Sequence, residues 1–395
     1  MKRLIFLTIT LVAATVSCTK SGLLETPQTY EDPISFEPYS GKIPVTKATE
    51  ATLQTMKDGL GFHVTGFLHS SATDFTADYL DVDVTFNSSW GYDGVAYWPE
   101  GGSLDFVAYG LLNDVDDASP ITFDNDSFTA FTYVVPEDVA DQQDLVVSGL
   151  LADKKASNTE SGNVVKFQFE HVLSRVGFSV KTNNDYNAAQ PVNVTIKQVT
   201  LNGTFVNTGD VDLTSTTPQI TPEVAATNNT TTRYSLFDTE YAFGTTSGTG
   251  IPAFMTKDTK TATPVYANTS FNAGTGYVEP TQTNETNNLD RFMMIMPGRV
   301  GDLTVDNNQV TPYIEVVYQL TGAPEQVARV PLTQTVTTGS GETATTTTDN
   351  WTFVAGRAYE FIFTVSTTAI VFDVEMNSWS NPAETHESTL TPEIQ

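Results

Sequence analysis

The sequence is poor in the residues that bind metals or form cross-links. Its 395 residues include one cysteine, Cys18, and 4 histidines. A disulfide within the chain would need two cysteines, and a zinc site would need several thiolate or imidazole ligands at close spacing, so neither is expected. Asp81, Asp83 and residues 113–117 could offer oxygen ligands, but they lack the glycine and the closing glutamate of a calcium loop. We therefore expect no metal site and no cofactor.

Basic residues are also scarce. Lysine and arginine number 19 against 47 aspartates and glutamates, which gives a formal net charge of -28. Such a charge repels nucleic acid and anionic membrane surfaces, so we expect no nucleic-acid partner. The hydrophobic fraction of 39% and the aromatic fraction of 11% are sufficient for extensive cores.

Recognisable catalytic motifs are missing as well. The chain has no Gly-x-Ser-x-Gly sequence, and its one cysteine stands near the N-terminus. We interpret His171 as a strand histidine bonded to a neighbour rather than as a catalytic base. We interpret Trp90 and Trp98 as core side chains rather than as a sugar-stacking platform. We therefore expect no catalytic residue and no enzyme activity.

The longest apolar run lies at the start of the chain. Residues 1–3 are basic at positions 2 and 3, residues 4–12 are apolar but too few to span a bilayer, and residues 13–17 lead into Cys18. This pattern is similar to a bacterial lipoprotein signal peptide of residues 1–17, with the lipid on Cys18. Thr15 stands where such signals prefer leucine or valine, so an ordinary secretion signal with an incidental cysteine is the alternative.

Apolar residues alternate with polar ones over short runs, and no stretch keeps a 3.6-residue period for three turns. Strand patterns cover residues 62–68, 79–86, 128–135, 164–169, 173–180 and 192–201. A polar segment at residues 154–163 separates the first three patterns from the others. The spacing predicts an all-β fold with little helix, built from two consecutive β-sandwich domains at residues 18–162 and 163–395.

The most regular alternation lies in residues 359–379, where two strand patterns are joined by residues 366–368. In the second strand the apolar residues of one parity are Ile370, Phe372, Val374 and Met376. A strand with such an apolar face must bury it, either in its own domain or against a neighbouring subunit.

Residues 19–55 contain few apolar residues and several prolines. Two short alternating pairs stand out, Ile34 with Phe36 and Ile43 with Val45. Because proline is confined to sheet edges, these pairs predict edge strands or detachable strands. Lys47 follows them in a segment that a protease could reach.

Several short motifs occur in a characteristic order along the chain. They are Cys18, Val45-Thr46-Lys47-Ala48, Trp98-Pro99, Phe106-Val107-Ala108-Tyr109, Gln143-Asp144-Leu145, Phe169-Glu170-His171-Val172-Leu173-Ser174-Arg175-Val176, Met296-Pro297, Gly356-Arg357-Ala358-Tyr359 and Asn377-Ser378-Trp379. In this order, and over nearly the whole mature chain, the sequence resembles the fimbrillins, or type V pilins, of Bacteroides-type bacteria.

This resemblance implies two transthyretin-like Greek-key β-sandwich domains and a lipoprotein precursor held in the cell outer membrane by the lipid on Cys18. It also implies that a surface protease removes an N-terminal strand, here within residues 18–47. The vacated groove would then accept a strand from the next fimbrial subunit, and the donor-strand candidates are Ile370, Phe372, Val374 and Met376. Fimbrillins of this type are often cut after arginine. No arginine lies between Arg3 and Arg175, so we predict processing after Lys47.

Two functions remain open from the sequence. The first is a structural subunit, or pilin, of a surface fimbria that supports adhesion. The second is a surface lipoprotein that does not polymerise, or a tip adhesin, which binds a glycan or a host ligand. The two differ in whether the N-terminal segment detaches and whether a donor strand is passed to a neighbour.

Overall fold

The computed structural model describes residues 33–38, 56–69, 75–99, 102–111, 121–123, 130–139, 142–159, 163–182, 194–223, 230–237, 241–242, 263–264, 292–320, 323–338, 345–365, 370–378 and 385–388. Cys18, Ile43, Val45 and Lys47 lie outside the described residues. The predictions made for them are therefore unchanged by the structure.

The strands are numbered in chain order. They are β1 (Ser35–Pro38), β2 (Phe62–His69), β3 (Phe75–Asn87), β4 (Ser89–Gly91), β5 (Ser103–Leu111), β6 (Ile121–Phe123), β7 (Ala130–Val134), β8 (Leu145–Ser148), β9 (Leu151–Lys154), β10 (Val164–Phe167), β11 (Phe169–His171), β12 (Ser174–Thr182), β13 (Val194–Val206), β14 (Thr208–Asp212) and β15 (Ile220–Pro222). They continue with β16 (Thr230–Phe237), β17 (Tyr241–Ala242), β18 (Thr263–Pro264), β19 (Phe292–Ile295), β20 (Gly298–Arg299), β21 (Leu303–Val305), β22 (Asn308–Val310), β23 (Tyr313–Leu320), β24 (Glu325–Pro331), β25 (Thr333–Thr338), β26 (Thr345–Asn350), β27 (Thr352–Phe353), β28 (Arg357–Val365), β29 (Ile370–Ser378) and β30 (Thr385–Ser388).

Helical structure in the described residues consists of a π-helix at Met56–Leu60 and a 3-10 helix at Ala156–Asn158. None of the helices in this part of the chain is long and apolar enough to cross a membrane. The all-β prediction is therefore confirmed. The finer prediction of two transthyretin-like Greek-key sandwiches stays a prediction.

The N-terminal sheet has the strand order β11-β8-β5-β2-β3-β4, and β9 also pairs with β5. Its two faces pack against different cores because side chains alternate along each strand. On one face, Phe62 and Val64 of β2 join the N-terminal core, which consists of Ile34, Phe36, Met56, Phe62, Val64, Leu80, Val84, Trp98, Leu104, Phe106, Ala108, Val146, Val165, Phe167 and Phe169. On the other face, Phe67 and Tyr109 join a second and larger core.

This second core, called the central core here, is shared by strands β2, β5, β7, β8, β12, β13, β14, β15, β16, β19, β23, β24, β27 and β28. The further sheets that contribute to it include those with the orders β18-β12-β28-β29-β30 and β16-β13-β23-β24. Phe178 of β12 stacks on Phe361 and Phe363 of β28, with ring centroids 5.8 and 5.6 Å apart. Ile314 and Val316 of β23 lie in the same core, so side chains of both sheets fill it.

Hydrogen bonding crosses the predicted division at residue 162. β7, from the first half of the chain, pairs with β14 from the second half in the sheet β15-β14-β7-β6. β10 and β11 follow residue 162 in the sequence, yet they pair with β1 and β8. The assignment of residues 18–162 and 163–395 to separate domains stays a prediction.

Buried polar contacts lie around residues 142–144, which precede β8 of the N-terminal sheet. The carbonyl oxygen of the Gln142 side chain accepts a hydrogen bond of 2.6 Å from the Met294 backbone N–H. His171 Nδ1 lies 2.8 Å from Asp144 Oδ2, and both side chains are buried. The Tyr133 hydroxyl donates to the Gln143 carbonyl, and burial raises the pKa of this tyrosine. His171 is therefore part of a buried structural network.

The terminal hairpin is part of the chain's own sheet in this structure. β28 runs parallel to β12 along one side and antiparallel to β29 along the other. In this register the donor-strand candidates pair as Ile370 with Val365, Phe372 with Phe363, Val374 with Phe361 and Met376 with Tyr359. Their role as donors to another subunit stays a prediction.

Gly177 lies where β12 approaches its neighbours too closely for a side chain. A Cβ atom at this position would come within 2.5 Å of Glu360 Oε2 and 2.6 Å of the Phe292 ring. Because the buried Phe292 ring would have to move, we expect Gly177→Ala to lower the free energy of unfolding by about 1–3 kcal/mol in urea denaturation. Gly91→Ala is the matched control, since nothing lies within 4 Å of its added Cβ. Equal losses in the two variants would contradict this account.

Candidate functional site

The candidate site is the groove that β1 fills at the surface of the N-terminal core. Along one side, β1 pairs in parallel with β10 in a register that runs from Ser35 with Val164 to Pro38 with Phe167. The Ser35 backbone N–H also donates to the Asn163 carbonyl at 3.3 Å. A ladder of 4 residues is short for a strand, and a parallel pair is slightly less stable per residue than an antiparallel pair.

The other side of the groove is formed by residues 92–97, which we call the latch. The Ile34 backbone N–H donates to the Ala96 carbonyl at 2.9 Å, and Pro33 forms an antiparallel bridge with Tyr97. The Tyr92 hydroxyl donates to the Ile34 carbonyl at 2.9 Å. β1 is therefore held at its start by the latch and over the rest of its length by β10.

The side chains of Ile34 and of β1 alternate between the core and solvent. Ile34 and Phe36 are each 2% exposed, whereas Glu37 is exposed. The Phe36 ring lies 5.4 Å from Tyr92, 5.5 Å from Phe106 and 5.9 Å from Phe167, measured between ring centroids. Phe36 therefore occupies an aromatic pocket inside the N-terminal core.

The strand that sequence analysis predicted around Ile34 and Phe36 is present as β1. Pro33 and Pro38 bound it, and because proline lacks an N–H they limit how far the ladder can extend. The parallel pairing with β10 was not predicted, because it joins residues about 130 positions apart in the sequence. The latch was also missed, and its only local signals were Gly94 and the tyrosines on either side of it.

The tryptophans interpreted as core residues lie beside this groove. Trp98 is 3% exposed and belongs to the N-terminal core, where its ring lies 6.0 Å from Phe106. Trp90 is half-buried, with its ring 5.3 Å from Phe62 and 5.2 Å from Phe86. Both side chains thus pack against the N-terminal sheet.

Polar residues on the other face of this sheet form a small cluster. His63 Nε2 lies 2.6 Å from Asp81 Oδ1, and His63 Nδ1 lies 2.8 Å from Asp83 Oδ1. These are hydrogen-bond distances that join β2 to β3, and the Asp83 side chain is 84% exposed. In the part of the chain that the structure describes, no group of three or more His, Cys, Asp or Glu residues is arranged to hold a metal ion.

Comparison with known protein families gives one match. The model of a family described as fimbrillin-like matches residues 46–277, which is more than half of the chain. The chain belongs to the fimbrillin-like family. This confirms the resemblance that the sequence motifs indicated.

Two fimbrial proteins are among the solved structures that this chain matches. A fimbrial protein from Bacteroides vulgatus is 18% identical, with a TM-score of 0.54, and the alignment covers 88% of this chain and 99% of that protein. The tip fimbrial protein Mfa3 of Porphyromonas gingivalis, solved with a C-terminal truncation, is 8% identical with a TM-score of 0.40 and coverage of 85% and 97%. At these identities the first comparison establishes similarity of fold alone, and nothing here depends on the second. A search of curated proteins found no match.

The contribution of β1 to stability can be measured at Phe36. We expect Phe36→Ala to lower the free energy of unfolding by about 3–5 kcal/mol, because it leaves a cavity between three aromatic rings. Urea denaturation followed by tryptophan fluorescence reports on this core, since Trp98 lies in it. Glu37→Ala, one residue away and facing solvent, should change the value by no more than about 0.5 kcal/mol. If the two variants lose the same stability, β1 does not pack as described.

Proposed function

We propose that this fimbrillin-like chain is a structural subunit of a cell-surface fimbria that supports adhesion. In this proposal it is exported as a lipoprotein precursor, cut after Lys47, and assembled by donor-strand exchange. One observation carries the proposal. Ile34 and β1 precede Lys47 in the sequence, yet Ile34 and Phe36 join a core whose other residues, in the part of the chain that the structure describes, all follow Lys47.

Loss of β1 would leave the N-terminal core incomplete. Burial of a large apolar side chain is worth about 1.5–3 kcal/mol, so removal of Ile34 and Phe36 exposes a strongly apolar groove. The edge of β10 would also lose its ladder partner, and an unpaired edge accepts another strand readily. Addition of a strand to such an edge supplies main-chain hydrogen bonds together with side-chain pockets, and pilin donor-strand complementation is an established example of this mode.

The sequence of this chain contains a second segment with the pattern of β1. Ile34-Ser35-Phe36-Glu37-Pro38 has isoleucine, phenylalanine and an acidic residue in the same order as Ile370-Val371-Phe372-Asp373-Val374. A strand from another copy could thus place Ile370 where Ile34 lies and Phe372 where Phe36 lies. A contact between two different surfaces of identical subunits does not close on itself, so its repetition yields a filament.

Export and processing complete the proposal. The lipid on Cys18 would hold the precursor in the outer membrane, and cleavage after Lys47 by a surface protease would separate both the lipid and β1 from the remaining chain. The same cut therefore releases the subunit from the membrane and vacates the groove. Fimbrillin-like family membership and the fold shared with a Bacteroides fimbrial protein support this role.

The cleavage site gives the first test. We expect N-terminal sequencing of assembled material to begin at Ala48, because the cut must fall between β1 and the next core strand. Lys47→Gln should remain uncut and monomeric, whereas Lys42→Gln should be processed like the unsubstituted protein. Filaments in which residues 19–47 are still attached would contradict the proposed maturation.

The donor strand gives the second test. We expect Phe372→Asp to abolish filaments, because a carboxylate cannot be accommodated in the apolar pocket that Phe36 leaves. Electron microscopy measures assembly, and circular dichroism measures whether the monomer is folded. Glu375→Gln, on the opposite parity of the same strand, is the matched control and should assemble normally.

Phe372→Asp can also disturb the chain's own sheet, because position 372 pairs with Phe363 of β28. A peptide of residues 368–378 avoids this difficulty when it is added to processed, unsubstituted subunits. The peptide should inhibit assembly, and the same peptide with Phe372→Asp should not. Equal inhibition by both peptides, or by neither, would count against β29 as the donor.

A further inference from the structure

We propose that the latch, residues 92–97, controls how fast the groove exchanges its strand, and that the Tyr92 hydroxyl is the group through which it does so. This inference deepens the proposed function and rests on it for its biological role. The physical claim concerns β1 in the intact chain. It can therefore be tested without any assembly.

The Tyr92 hydroxyl connects the backbone of the segment that fills the groove, which we call the occupant, to the backbone of the latch. It donates to the Ile34 carbonyl at 2.9 Å and accepts a hydrogen bond of 3.2 Å from the Ala96 N–H. The Ala96 carbonyl in turn accepts from the Ile34 N–H at 2.9 Å. One hydroxyl thus pairs two main-chain groups, and a buried main-chain group without a partner is costly.

The latch is firmly anchored at its end but not at its tip. The Tyr79 hydroxyl of β3 donates to the Tyr97 carbonyl at 2.5 Å, and the next residue, Trp98, is 3% exposed. Burial, and secondarily the neighbouring Tyr92 hydroxyl, raises the pKa of Tyr79. At the tip, Gly94 has a φ of 89° and Val95 is 61% exposed. Few packing contacts therefore oppose movement of the tip away from β1.

The latch recognises the occupant mainly by its backbone. Its hydrogen bonds reach the N–H and the carbonyl of Ile34, while the aromatic pocket and the core receive the side chains. Any extended strand with a free N–H at this position can make the same bonds, and proline there cannot. Ile370 of a second copy meets this requirement. The latch can thus hold the outgoing and the incoming strand by the same contacts.

Hydrogen exchange in the intact full-length chain tests the inference. Tyr92→Phe keeps the ring that packs 5.4 Å from Phe36 and removes only the hydroxyl. We expect the backbone amides of a peptide covering residues 33–38 to exchange roughly tenfold faster, measured by mass spectrometry, because this segment opens locally more often. Peptides covering residues 142–148 and 292–296 should exchange at the unsubstituted rate.

Tyr318→Phe is the matched control. It also removes one hydrogen-bonded tyrosine hydroxyl, which donates to Gln326 Oε1 at 2.6 Å, but on β23 and away from the groove. Tyr79→Phe, which releases the latch from β3 without touching β1, should accelerate exchange in residues 33–38 by a smaller factor. Unchanged exchange in residues 33–38 of Tyr92→Phe, or equal acceleration in every peptide, would overturn the inference.

A separate assembly measurement distinguishes the two proposals. Suppose that Tyr92→Phe accelerates amide exchange in residues 33–38, but neither it nor the unsubstituted protein forms filaments after cleavage. The inference about the latch is then supported, and the proposed function is contradicted. If filaments form at the same rate with and without the Tyr92 hydroxyl, the latch does not control strand exchange. The inference is then wrong, while the proposed function is unaffected. Faster assembly of Tyr92→Phe, together with faster amide exchange, supports both.

Discussion

The packing of Ile34 and Phe36 into the N-terminal core is the interaction on which the interpretation of this fimbrillin-like protein depends. These two side chains complete a core whose other described residues all lie later in the chain. They enter it on a strand of 4 residues held by β10 and by the latch. A strong apolar contribution is thus combined with a short backbone ladder. That combination is the basis of the proposal that another strand can replace β1.

In the proposed exchange, the N-terminal sheet would tolerate the loss of β1 because its other face is packed independently. Phe67 and Tyr109 belong to the central core, which extends into the sheets of the second half of the chain. The bond from the Met294 N–H to Gln142 adds a polar connection between the halves, and the buried contact of His171 with Asp144 holds the β11 edge of the sheet. The sheet is therefore supported on one face while the groove on the other face carries β1.

Much of the local structure could be predicted from residue patterns. Alternation in residues 62–68 and in residues 359–379 indicated β2, β28 and β29, because side chains on a strand alternate between two faces. Pro33 and Pro38 indicated that the segment around Phe36 would form an edge strand. These signals are local, since a pattern of five to nine residues specifies the conformation of the same residues.

The amino-acid sequence by itself determined the all-β character, the acidic charge, the positions of many strands and membership of the fimbrillin-like family. Only the tertiary structure decided that β1 pairs with β10, that β7 joins β14, and that Tyr92 bonds to the backbone of Ile34. The physical reason is that strand pairing depends on contacts between distant segments. An alternating strand carries the same pattern whichever partner it finds, and the partner is chosen by the packing of the whole chain.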